Sequence, residues 1–125
     1  MKTDDLTGPA LDWAVAQAEK LEIESITTMP SGRKFVNVWT VCCLTGQREH
    51  SETYEPSTDW SQGGPIIERE HITLQTPTSQ LTMFWLASVG QGKHRHFDHA
   101  PLIAAMRCYV SSRLGDMVDV PDELA

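Results

Sequence analysis

No stretch of this chain approaches the roughly 20 consecutive apolar residues that cross a bilayer, so no membrane partner is expected. Cations are scarce: 10 Lys and Arg stand against 17 Asp and Glu, for a formal net charge of −7 and a pI near 5.1. Non-specific binding to a nucleic-acid backbone needs many Lys and Arg to displace counterions, so that class is excluded. A small anion is not excluded, because two or three cationic side chains and main-chain N–H groups form a pocket whatever the overall charge. Only three cysteines are present and they cannot all pair; adjacent Cys42 and Cys43, read as strand residues, would point to opposite faces. Reduced thiols acting as small apolar fillers are expected, not disulfides or a zinc site. The start, Met1 to Asp5, holds no apolar signal core, from which a cytoplasmic location is expected. Also missing are a Gly-x-Ser-x-Gly elbow, a phosphate loop and a dinucleotide glycine fingerprint. No catalytic residue or cofactor is assigned, and that lack weighs against an enzyme.

What is there suits one folded domain over residues 1–125, with 40% hydrophobic residues and enough length for a core without staples. Thr7 reads as the N-cap of a first helix that tolerates Pro9 in its first turn. Leu11, Ala14, Val15, Ala18 and Leu21 form its apolar stripe, with Asp12 elsewhere and Trp13 at the core edge. Arg33 to Cys42 reads as a strand, with Phe35, Asn37, Trp39 and Val41 on one face and Val36, Val38, Thr40 and Cys42 on the other. Gly46 to Thr53 reads as a loop, Asp59 to Pro65 as a turn, Ile66 to Leu74 as a second strand and Leu81 to Val89 as a third. Between these last two, Thr76 to Ser79 makes a break. Gly90 to Ala100 is expected to be a polar loop. Pro101 opens a helix through about Leu114, its inner face Leu102, Ile103, Met106, Val110 and Leu114, closed by Gly115. Val118 and Val120 suggest a short edge strand. The fold class is therefore α+β: a small, mostly antiparallel sheet with an N-terminal and a C-terminal helix packed on it.

The densest span for function runs from Ser57 to Glu70. Asp59 is expected to order a turn by accepting main-chain N–H bonds; Gly63 and Gly64 leave the backbone open to close approach, and Pro65 ends the turn. With Trp60 as a flat face and Arg69 as a fork for carboxylate or phosphate, and with Trp39 and Trp85 as further stacking faces, these seven residues are the candidate ligand-binding set. The simpler reading of each Trp is core packing, and of Arg69 an ion pair with a neighbouring Glu. Asp59, Glu68 and Glu70 would make a carboxylate centre if a strand put both glutamates on one face, but a solvated strand face explains them as well. His94, His96 and His99 lie near Asp98 at spacings a metal would accept; Lys93 and Arg95 beside them repel a divalent ion, so no metal site is assigned.

Three blocks carry a likeness to a known family. Leu6 to Ala16, Ser57 to Glu70, and Pro101 to Arg107 with Leu114 to Pro121 together resemble the NinX-like family of lambdoid phage proteins, and they span the chain from near its start to its end. The resemblance implies a phage accessory setting inside a host bacterium. Three functions are then open. The first is a non-enzymatic module that binds a small anionic or nucleotide-like ligand, sequestering a nucleotide-derived signal of bacterial anti-phage defence. The second is an adaptor binding a host or phage protein through its acidic surface and the Asp119 to Glu123 tail. The third is a carboxylate-dependent hydrolase. A homo-oligomer is compatible with each, since short chains often build pockets between subunits.

Overall fold

The computed structural model describes residues 1–77 and 83–125, and the fold is α+β. Among the described residues a 3-10 turn, Thr3–Asp5, precedes three helices: α1 (Gly8–Ala18), α2 (Trp60–Glu70) and α3 (Pro101–Leu114). The antiparallel pairing is split between two three-stranded sheets. One has the order β1 (Ile23–Thr28), β2 (Lys34–Val41), β3 (Arg48–Thr53); the other has β4 (Thr73–Gln75), β5 (Trp85–Val89), β6 (His94–Asp98).

α3 is the axis of the molecule. Leu102 and the whole run Ala104 to Ser111 are buried, so it is covered nearly all round, as a helix apolar on every face must be. The second sheet, α1 and α2 all pack on it. Ile103 is only partly buried and Leu114, expected on the inner face, is exposed, because the last turn runs past its neighbours. Gly115 closes α3 at φ 89°, with its N–H donating to Ser111 O at 3.0 Å. α1 starts after Thr7 with Pro9 in its first turn, as its sequence predicts. It ends with Lys20 left-handed at φ 59°, where Lys20 N–H reaches Gln17 O and Leu21 N–H reaches Ala16 O.

β2 alternates as expected, and the face bearing Val36 and Val38 is the buried one, toward α1. Phe35, Asn37 and Trp39 line the outer face, where Asn37 Nδ2 donates to Ser25 Oγ (3.2 Å) and Thr27 Oγ1 (2.7 Å) on β1. The strand stops at Val41. Cys42 and Cys43 sit in the following turn, Cys43 exposed, so they fill no core; the buried thiol is Cys108, and all three are free. Gly46 to Thr53 is not simply a loop, since Arg48–Thr53 pairs with β2. β3 has no buried residue, so hydrophobic alternation could not announce it. β1 likewise carried no expectation.

The larger correction is α2. Asp59 to Pro65 is not a turn, nor is Ile66 to Leu74 one strand; Trp60–Glu70 is a helix, and only Thr73–Gln75 is extended. The expected third strand is β5 alone; Leu81 and Thr82, with Thr78 and Ser79 of the preceding break, lie outside the described residues. Gly90 to Ala100 contains β6, joined to β5 by a turn in which Gly90, Gln91 and Gly92 all take positive φ. The chain ends fold together: Met1 N and Val118 O, Val118 N and Met1 O, and Thr3 N and Asp116 O are each 2.9 Å apart. The expected edge strand is thus a single bridge, Lys2 to Met117. Among the described residues no helix is long and apolar enough to cross a membrane.

Candidate functional site

Asp59 behaves as anticipated in kind. Its Oδ1 accepts from Ser61 N–H at 2.9 Å and from Ser61 Oγ at 2.6 Å, capping α2 rather than ordering a free turn. Trp60, the first residue of the helix, is 52% exposed. Arg69 is in its last turn, about 13 Å away along the axis at the α-helical rise. The two therefore do not flank one loop. Gly63 is packed, not open: a Cβ there would stand 2.4 Å from Pro56 O and 2.6 Å from Leu102 Cδ1, which is how α2 lies close to the start of α3. Gly64 has open space where its side chain would be. Trp39 belongs to the outer face of the first sheet, under the Arg48 guanidinium at 5.2 Å, and Trp85 to the second sheet opposite Asp98. The seven candidates are distributed over a helix and two sheets.

Arg69 takes up the simpler role. Its guanidinium grips Glu19 through Nη1 and Nη2 (3.0 and 2.9 Å), Glu70 through Nε (2.9 Å) and the Tyr109 hydroxyl (3.3 Å). Arg113 adds a bond to Glu70 at 2.6 Å, and Tyr109 OH donates to Glu19 at 2.7 Å. This network ties the ends of α1, α2 and α3. It pushes the Tyr109 phenol up to about 12, through burial first and the Glu19 bond second, and holds the Glu70 carboxyl below its usual range through Arg69 and then Arg113. Glu68 and Glu70, two apart on a helix, project to different sides, so the expected shared face is lost with the strand. Among the described residues no group of three or more His, Cys, Asp and Glu converges as a metal site would require.

A different place gathers charge. Lys2 and Asp4 from the first residues, Lys93 to His96 from the start of β6, and Ser111, Asp116 and Met117 from the end of α3 line an open cleft of about 330 Å³. Strand alternation aims His94 and His96 toward α3 and puts Arg95 on the opposite side of β6; Lys93 precedes the strand, and all four residues line the cleft rim. His94 Nδ1 lies 3.1 Å from Ser111 Oγ, which donates to Asp116 Oδ1 at 3.2 Å. His96 is 7% exposed, and Asp4 Oδ1 lies 2.5 Å from its Nδ1, an ion pair only when the imidazole is protonated. Neither Lys2, Lys93 nor Arg95 makes an ion pair among the described residues; Arg95 Nε donates to Gly92 O at 3.1 Å. Sequence reasoning met the histidines only as a metal question. The available signal was Gly90-Gln91-Gly92 between two alternating stretches, which marks a hairpin and would have put His94 and His96 on one strand face.

Two buried polar residues were also missed. Arg107 clamps the chain by donating to Leu6 O (2.9 Å), Phe97 O (3.3 Å) and Asp98 Oδ1 (3.1 Å), and Asp12 accepts from Ser57 N–H at 2.9 Å.

Comparison with known proteins gives a family match: the family model described as Bacteriophage P22, NinX covers residues 2–113. No curated protein matches the chain significantly.

Proposed function

The chain belongs to the NinX family of phage P22, and from that membership and the cleft we propose that this phage accessory protein captures a small anionic ligand without transforming it. The observation that carries the reading is a local reversal of sign. A protein of net charge −7 places three cations that make no ion pair among the described residues, Lys2, Lys93 and Arg95, around one cleft, while the two carboxylates there already face Ser111 and His96. Low-dielectric walls focus such a field, and long-range repulsion from the rest of the surface does not cancel contacts made at a few ångströms. In a phage setting the reading extends to a nucleotide-derived signal of host defence, removed by sequestration.

Calorimetric titration of a panel of nucleotides and nucleotide-derived signals tests this. The wild type is expected to bind at least one, and Lys93→Ala with Arg95→Ala to weaken that binding by about 1.5–3 kcal/mol, the range for charge-assisted bonds, with an unchanged circular dichroism spectrum. Trp60, Gly64 and Arg69, the candidates read from the sequence, are the competing location. If Gly64→Val abolishes capture while the double cleft variant binds normally, the ligand sits on α2 instead.

The adaptor reading is favoured by a separate observation: Met83, Phe97 and Met117 are each more than 60% exposed, leaving apolar surface for a partner to cover. A host or phage protein that copurifies with the wild type but not with Phe97→Ser, in the absence of any ligand in the panel, would establish that function in place of the first.

A further inference from the structure

Building on the anion-capture reading, we infer that the cleft is specific for a phosphorylated sugar, held by its phosphate on the cations and by a hydroxyl on Nε2 of His94. The reason lies in proton bookkeeping along Asp116, Ser111 and His94. An ionised carboxylate only accepts hydrogen bonds, so the single Ser111 hydroxyl proton is directed to Asp116 Oδ1, at 3.2 Å. The Ser111 oxygen is then left as an acceptor, and His94 Nδ1, at 3.1 Å from it, must be the N–H donor. In the neutral imidazole this fixes the tautomer and leaves Nε2 as a lone-pair acceptor. The His94 ring bond found among the described residues is at Nδ1, leaving Nε2 without a protein partner there, and His94 lines the cleft.

Lys93 and Arg95, the chain neighbours of His94, are donors only, and so is Lys2. A ligand matched to this wall carries an anion that accepts several bonds and, within a few ångströms, a donor that satisfies one imidazole nitrogen. A phosphate ester with a neighbouring sugar hydroxyl has that pattern, whereas inorganic phosphate or a carboxylate supplies the anion alone. The volume, about 330 Å³, is near the lower end of ligand pockets, roughly 300–1,000 Å³, which is room for one sugar phosphate. Ser111 and Asp116 act as positioning residues, since neither needs to touch the ligand.

The test compares ribose 5-phosphate, propyl phosphate and inorganic phosphate by calorimetry on the full chain. The wild type is expected to prefer ribose 5-phosphate over propyl phosphate by about tenfold, the value of one hydrogen bond. His94→Phe, with circular dichroism as the folding control, should bring the two esters within about twofold of one another while retaining phosphate binding. Ser111→Ala should shrink the preference by freeing the tautomer, and serves if His94→Phe does not fold. Lys93→Ala should weaken both esters by the same factor. Equal binding of the two esters by the wild type overturns the hydroxyl contact and leaves anion capture standing. No binding of any of the three probes overturns this inference, and if the nucleotide panel is also negative the anion-capture reading falls with it. A preference that His94→Phe and Ser111→Ala both leave intact places the hydroxyl elsewhere and refutes the role of Nε2.

Discussion

Asp12 sits in the middle of α1, only 4% exposed, and its carboxyl pKa is raised to about 6, chiefly by burial. Bonds from Ser57 pull it back down and Glu55 adds to the rise. The folded protein therefore holds this proton more tightly than the unfolded chain, where the group titrates near 3.8. The stabilisation is complete below pH 3.8 and is lost as pH rises through about 6, an amount near 3 kcal/mol at 1.36 kcal/mol per unit. Asp12→Asn keeps an oxygen for the Ser57 N–H and removes the buried charge. It is expected to be more stable than the wild type at pH 7 by about 1–3 kcal/mol, with the difference vanishing toward pH 4. Urea unfolding across pH 4–7 checks it, and a difference that does not change with pH would refute the assignment. In the sequence Asp12 reads as a polar position off the stripe, because helical periodicity registers the α3 side of α1 but not the Pro56-Ser57 segment that covers its flank.

At the scale of elements, α2 shows how far two adjacent glycines can differ. Neither requires a positive φ, so both were free to be helical, and packing separates them. Gly63→Ala forces a Cβ into Pro56 O and Leu102, which α2 can relieve only by moving off α3; a loss of about 1–3 kcal/mol is expected. Gly64→Ala meets no atom within 4 Å and restricts the unfolded chain, so a gain of about 0.5–1 kcal/mol is expected. Thermal unfolding of the two variants should move in opposite directions; a shared direction would mean that the interhelical approach at Gly63 is looser than described. Gly-Gly-Pro favours a turn by local propensity, and that preference is overridden by the Asp59 cap, by Ile66 buried against the core, and by the left-handed closure at His71 (φ 54°). β3 and β6 escaped for another reason. One faces solvent on both sides, and the other turns two imidazoles inward and Arg95 and Phe97 outward, so neither shows the apolar period of a half-buried strand.

Across the whole molecule, the first residues act as the strap that closes the cleft. Met1 and Thr3 bond to Val118, Asp116 and Gly115, and Arg107 reaches from α3 to Leu6 O. Removing residues 1–4 deletes four of these hydrogen bonds together with Lys2 and Asp4. The expected result is a loss of about 2–4 kcal/mol, at roughly 1 kcal/mol per bond, and faster amide exchange at Val118. Anion capture should weaken in parallel. A truncated chain with unchanged stability and unchanged exchange at Val118 would show that the strap is not coupled to the body.

The sequence by itself determined α1 and α3, through apolar spacing, Pro near each start and Gly115 at one end, and it determined β2 through its β-branched alternation. It also determined the acidic balance, and the three blocks that mark the family. These are properties of neighbours in the chain, for which helix and strand periods are sufficient. Only the tertiary structure decided that Gly63 is a contact, that Arg69 is held by Glu19 fifty residues away, and that Lys2, His94 and Asp116 share a cleft. Those meetings depend on how α3 is covered on each side. Burial on that axis sets long-range distances, and no local period encodes them.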